Sequence, residues 1–172
     1  CIRDSYYTGD SNVVLDSIDD KFDFVFSCPP YHDLEQYSDD PDDLSNMDYD
    51  SFLEIYRSII FKACQKLKDN CFACFVVGDI RGKSGEYRNF VSHTIDAFID
   101  SGLILYNEMI LINSIGSMAI RLRKQFNDGR KCGKIHQNVL VFYKGDTKKI
   151  KEKFPVISMD ESLEQQLDQP IL

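Results

Sequence analysis

No apolar run in the chain approaches the roughly 18 consecutive residues that a membrane-spanning helix needs. The composition therefore predicts a soluble, cytoplasmic protein without a membrane span or signal peptide. No internal repeat is visible. The six cysteines are scattered through apolar segments, as expected of reduced thiols in a cytosol-like compartment. Cys71 and Cys74 have the spacing of half a zinc knuckle, but no second pair or histidine pair accompanies them, which favours core packing. The run Asp39, Asp40, Pro41, Asp42, Asp43 lacks the alternating ligands and central glycine of a calcium loop. A solvated loop is the expectation for it.

Between positions 33 and 50 there is no Lys or Arg, while eight acids crowd the same stretch. Removing them from the 28 acids leaves twenty, equal to the twenty Lys and Arg, so the net charge of −8 is local. Conversely, Arg121, Arg123, Lys124, Arg130, Lys131 and Lys134 stand against the lone acid Asp128. A chain acidic overall can still present such a patch to a phosphate backbone.

What is present is an alternation of strand and helix patterns in 172 residues, enough for one domain with a real core. Residues 5–8 read as a short strand ending at Gly9 and Asp10, and 12–18 as a short helix or turn. A buried strand follows from Lys21 to Ser27. The segment 31–47 is a long loop, the kind that either serves as a lid or is disordered. Asp48 caps a helix whose Phe52, Tyr56, Ile59, Ile60, Ala63 and Leu67 fall at helical spacing, with Met47 and Phe52 placed as a staple. The continuous apolar run 71–77 predicts a central strand covered on both faces, ending in Gly78 and Asp79, a candidate pocket residue. A second helix spans 87–101, stopped by Gly102, with His93 packed or at the surface. Strands at 103–112 and 135–143 are joined by a basic loop. This alternation favours a mainly parallel α/β sheet in three layers.

The chain is organised around Phe24, Val25, Phe26, Ser27, Cys28, Pro29, Pro30 and Tyr31. Each proline fixes its own φ and keeps the preceding residue extended, so the strand end cannot turn into helix. The carbonyls around Cys28 and Pro29 stay free to accept, beside an aromatic ring. Such a rim at a strand's carboxyl end suits a planar group carrying an amine.

These residues resemble the S-adenosylmethionine-dependent amino-methyltransferases, chiefly the DNA N6-adenine and N4-cytosine enzymes, whose signature is Asp/Asn/Ser-Pro-Pro-Tyr/Phe/Trp. Pro29, Pro30 and Tyr31 match; Cys28 departs from the polar first position, with Ser27 one residue earlier. The resemblance covers about residues 6–144. It implies a Rossmann-like class I methyltransferase sheet, mostly parallel with an antiparallel last strand. It also implies that Ser27, Cys28, Pro29, Pro30 and Tyr31 hold the target amine and base, and that Asp10 and Ser11 contact the cofactor S-adenosylmethionine. DNA is the implied partner, with Arg121, Arg123, Lys124, Arg130, Lys131 and Lys134 on its phosphates. No His or Glu near the motif suits a strong base, and this chemistry needs none.

The family's glycine-rich cofactor loop has no counterpart here, and the chain opens on Cys1 rather than Met. Both predict a fragment lacking the sheet's first strands, completed by its own N-terminal segment or a second subunit. Residues 1–145 then form a partial catalytic core and 146–172 a tail or linker. Two alternatives stay open: a catalytically silent nucleic-acid-binding subunit, and an RNA or protein amino-methyltransferase.

Overall fold

The computed structural model describes residues 5–34, 36–39, 43–116 and 118–156. Four strands, β1 (Phe22–Ser27), β2 (Leu67–Val77), β3 (Ile104–Ile112) and β4 (His136–Lys144), form one sheet in the order β1-β2-β4-β3. β1 and β2 run parallel, while β4 is antiparallel to both β2 and β3. The last strand in sequence is thus inserted beside the third, as the resemblance implied.

The main helices are α2 (Tyr49–Lys66) and α3 (Phe90–Asp100). Asp48 accepts hydrogen bonds from the backbone of Asp50 and Ser51, closing the first turn of α2. Its carboxyl sits below the usual range, mainly through the Ser51 hydroxyl. Phe52, Tyr56, Ile60 and Cys64, one turn apart, are all buried on α2. They meet Phe90, Ala97 and Phe98 of α3 over Cys71, Ala73, Phe75, Val77, Leu140 and Phe142, which share one face of β2 and β4. Phe98 stacks on Phe142 with ring centroids 4.0 Å apart. On the opposite face, Phe24 and Phe26 of β1 and Met109 of β3 remain exposed. Among the described residues, no helix is long and apolar enough to cross a membrane.

Three sequence expectations need correction. The strand expected to be buried at residues 21–27 is instead the edge strand β1, whose Phe22, Phe24 and Phe26 are exposed because, among the described residues, it has a neighbour on one side only. Residues 5–8 join no strand: none of the described residues pairs with them. Residues 113–134 are not simply a loop, because Met118–Gly129 form a helix, α4. Residues 11–18 behave as expected, with α1 (Ser11–Val14) and a single 3-10 turn at Leu15–Ser17. They are tied to α2 by Lys62, which bonds the Asn12 carbonyl and Asp16, and by Lys66 on the Ile18 carbonyl. Beyond β4, a turn at Thr147–Lys149 leads into α5 (Ile150–Lys153), and Phe154 packs 5.1 Å from the Phe72 ring. Residues 157–172 lie outside the described residues.

The end of α2 is closed from the sheet. Lys144 on β4 donates to the carbonyls of Cys64 and Leu67, each at 2.8 Å. A cation there adds a charge-assisted bond to carbonyls at the helix's C-terminal end, where the Cys64 oxygen already accepts from the Leu67 N–H, and complements the helix dipole. Replacing it by an apolar side chain of similar length, Lys144→Met, is expected to cost about 1.5–3 kcal/mol, the range for hydrogen bonds to a charged group. Urea unfolding measures this. An unchanged midpoint would mean that water serves those carbonyls equally well.

Candidate active site

β1 delivers Ser27 in register with Phe75 of β2, and the two prolines then carry the chain off the sheet. Cys28 is exposed at the turn. Tyr31 is half-buried, its ring edge-on to Phe90 at 5.8 Å and its hydroxyl 3.3 Å from the Val76 carbonyl and 3.4 Å from Gln137 Oε1. Burial, and then the nearby Cys28, push its hydroxyl up to about 12, so it stays protonated at neutral pH.

The residue after the motif is the anchor that the sequence reading missed. His32 is buried and sits at φ 52°, a left-handed conformation uncommon outside glycine. Its Nε2 lies 2.8 Å from the Met47 carbonyl, and its Nδ1 lies 2.6 Å from an Arg88 guanidinium nitrogen. The Met47 carbonyl can only accept, so Nε2 donates to it, while Nδ1 faces both the Arg88 guanidinium and, at 2.9 Å, an Asp33 carboxylate oxygen. Arg88 also lies over the Tyr49 ring at 4.7 Å and pairs with Asp33 at 3.5 Å. Burial raises the Asp33 carboxyl, but the contacts with His32 and Arg88 outweigh it and hold the group below its usual range. The Tyr49 hydroxyl donates to the Arg88 carbonyl at 3.1 Å, with His93 Nδ1 also 3.1 Å away. The segment following Tyr31 is thereby fastened to α2 and to the entry of α3.

Beside Tyr31 opens a cavity of about 380 Å³ at the carboxyl end of β2 and the start of β4. Its walls include Gly78, Asp79, Ile80, Arg81 and Tyr87 from one side. Leu122 and Gln125 of α4, with Cys132, Gly133, Lys134, His136 and Gln137, close the other. Tyr31 brings the rim to this cavity; Ser27, Cys28, Pro29 and Pro30 do not line it. Asp79 borders the cavity but accepts from the Val91 backbone at 3.0 Å, capping α3.

Asp10 and Ser11 border a separate hollow of about 500 Å³ with Gly9, Ser38, Asp43, Leu44 and Ile59. Asp10 also caps α1 through the Asn12 backbone. Asp43 is held below the usual carboxyl range, first by the Ser45 backbone and then by the Ser38 and Ser45 hydroxyls.

The basic cluster is divided. Arg123 and Lys124 are exposed on α4, while the Arg121 side chain lies outside the described residues. Arg130 folds back to donate to the Phe126 and Asn127 carbonyls and serves as a cap for α4. The Lys131 stem lies against Gly85 and Gly129, and Lys134 lines the cavity.

A crossover sheet of this order, with its site beyond the carboxyl ends of β1 and β2, is a Rossmann-like α/β architecture. Solved structures narrow it to the methyltransferase fold. The protein TTHA0409 of Thermus thermophilus, assigned as a DNA modification methylase, superposes in its S-adenosyl-L-methionine complex with a TM-score of 0.61 at 15% identity, over 94% of this chain and 64% of that one. Another structure of the same protein gives 0.59 at 17% identity, over 94% and 59%. The M1.HpyAVI–SAM complex gives 0.52 at 14%, over 83% and 54%. At such identities the likeness is one of fold, and this chain spans about three fifths of the length of the TTHA0409 structures. No family model and no curated protein matches the sequence.

Proposed function

We propose that this chain is part of an S-adenosylmethionine-dependent methyltransferase acting on the exocyclic amine of a DNA base, adenine N6 or cytosine N4. The observation that carries it is the Pro29-Pro30-Tyr31 rim on a methyltransferase fold, with Tyr31 forming a wall of the cavity. The walls are of the kind a flat base needs: rings and aliphatic side chains with a few polar groups. Cation-bearing α4 lies at the same opening and supplies phosphate contacts through Arg123 and Lys124, with Lys134 inside.

The hollow at Asp10 suits the cofactor. Two carboxylates and two hydroxyls beside Leu44 and Ile59 match a ligand with a cationic end, ribose hydroxyls and an apolar ring. S-adenosylmethionine, when bound, supplies a methyl group on a sulfonium. The chain's own contribution is to orient the amine. Its lone pair is delocalised into the base ring; with the ring against Tyr31 and the amine reaching out of the cavity to the rim, acceptors at Ser27, Cys28 and the Pro29 carbonyl draw its N–H bonds so that the pair localises on nitrogen. Holding that nitrogen in line with the methyl supplies much of the remaining acceleration.

A thiol is a weak acceptor, so Cys28 favours one rival reading, a catalytically silent subunit. Tritiated methyl transfer into DNA by the full-length protein of which this chain is part separates them. If the side chain acts, Cys28→Ser and Cys28→Asp retain or raise the rate. If only carbonyls and Ser27 act, Cys28→Ala is nearly silent and Ser27→Ala is not. Absence of transfer by the parent and by all four variants would leave the silent subunit.

A further inference from the structure

We propose that the cavity binds a whole nucleotide rather than a base alone, and that Arg81 is its phosphate anchor. This rests on the reading of the cavity as the base site. Arg81 stands at the carboxyl end of β2, half-buried, as a lining residue. The residues around it form a small hairpin, with a backbone bridge between Arg81 and Tyr87, Gly82 donating to the Glu86 carbonyl and Arg88 to that of Ile80. Across it, the guanidinium lies over the Tyr87 ring, 4.0 Å from the centroid, and donates one hydrogen bond to the Gly85 carbonyl at 2.6 Å. A guanidinium carries five N–H donors, so a stacked one with a single bond keeps an edge for a two-oxygen partner. Stacking also restricts the side chain before any ligand arrives, which lowers the ordering cost of binding.

No carboxylate occupies that edge among the described residues. Arg81 takes part in none of the ion pairs. Glu86, on the same hairpin, is bonded to the Ser84 hydroxyl. Asp79 alone among the lining residues is acidic, and it is engaged by the Val91 backbone. Lys134 adds a second cation to the lining. A chain of net charge −8 therefore lines this one cavity with two cations and a single, already bonded acid. A neutral base has no use for them. A phosphate accepts the bidentate, charge-assisted pair that an arginine edge offers.

The test compares 2′-deoxyadenosine and deoxycytidine with their 5′-monophosphates, by NMR titration of the protein at low salt. The monophosphate of the preferred base is expected to bind roughly tenfold or more tighter than its nucleoside, the size of one charge-assisted contact. Arg81→Gln should remove that preference and leave nucleoside binding intact, while Arg81→Lys should restore part of it. Nucleoside binding without any preference for the monophosphate would overturn the anchor and spare the base site. A preference that survives Arg81→Gln would also overturn it. If neither nucleosides nor nucleotides shift the resonances of Tyr31 and Gln137, the anchor and the base site fail together.

Discussion

Tyr31→Ala is expected to lower methyl transfer into DNA by about one to two orders of magnitude, because base–aromatic stacking is worth roughly 1–3 kcal/mol. The substitution removes the ring that joins the rim to the cavity wall. Tyr31→Phe should keep most of the rate. Its loss is a hydroxyl 3.3 Å from the Val76 carbonyl, a long contact, whereas the edge-on packing against Phe90 is retained. Initial rates with tritiated S-adenosylmethionine measure the effect, and thermal melts of each variant separate a lost platform from a lost fold. Should folded Tyr31→Ala transfer methyl groups as fast as the parent, the Pro-Pro-Tyr rim is only a turn, and the enzyme reading fails at its centre.

Phe52→Ala is expected to destabilise the protein by about 3–5 kcal/mol, the range for emptying a buried phenylalanine site. Phe52 has no exposed surface. Its ring lies 5.2 Å from His32, 5.5 Å from Tyr56, 5.7 Å from Phe90 and 5.9 Å from Tyr49. Neighbours from several elements cannot all move in to fill the space, so a cavity persists. Phe61 on the same helix is about half exposed, and Phe61→Ala should cost less than about 1 kcal/mol. Urea denaturation of both variants checks the contrast. A loss at Phe52 no larger than at Phe61 would mean that the aromatic cluster closes over the gap. Since His32 immediately follows Tyr31, Phe52→Ala should also weaken the rim before the protein unfolds globally.

The strands and the two long helices were legible because each carries its own signal. In α2, Asp48 and the Phe52–Tyr56–Ile60 spacing are enough; in β2, an unbroken apolar run is enough. α4 was missed because it packs little apolar surface. Leu122 and Phe126 are one helical turn apart, but the surrounding arginines, lysines and glycines read as loop. Residues 5–8 show the opposite error, since a strand needs a partner and local pattern does not supply one. At the site, the two prolines pointed to Tyr31, but nothing local pointed to its surroundings. Gln137 lies 106 positions away from it in sequence. Arg81 and Tyr87 matter only once a hairpin brings them face to face. His32 reads as one more polar residue in an acidic loop until Met47, Phe52 and Arg88 close around it.

The placement of β4 also governs how the chain can assemble as it is made. β2 and β3 are complete by residue 112, yet no backbone ladder joins them; each pairs with β4, which ends at Lys144. Until that strand leaves the ribosome, β2 and β3 both present an unpaired edge, and Leu140 and Phe142 are missing from the core. Local helices and the β1–β2 pair can form early, but the sheet closes only when a late segment threads between two earlier ones. Such long-range closure is slow and leaves sticky edges waiting. A nascent chain halted before residue 136 is therefore the form in which this protein would most readily need a chaperone.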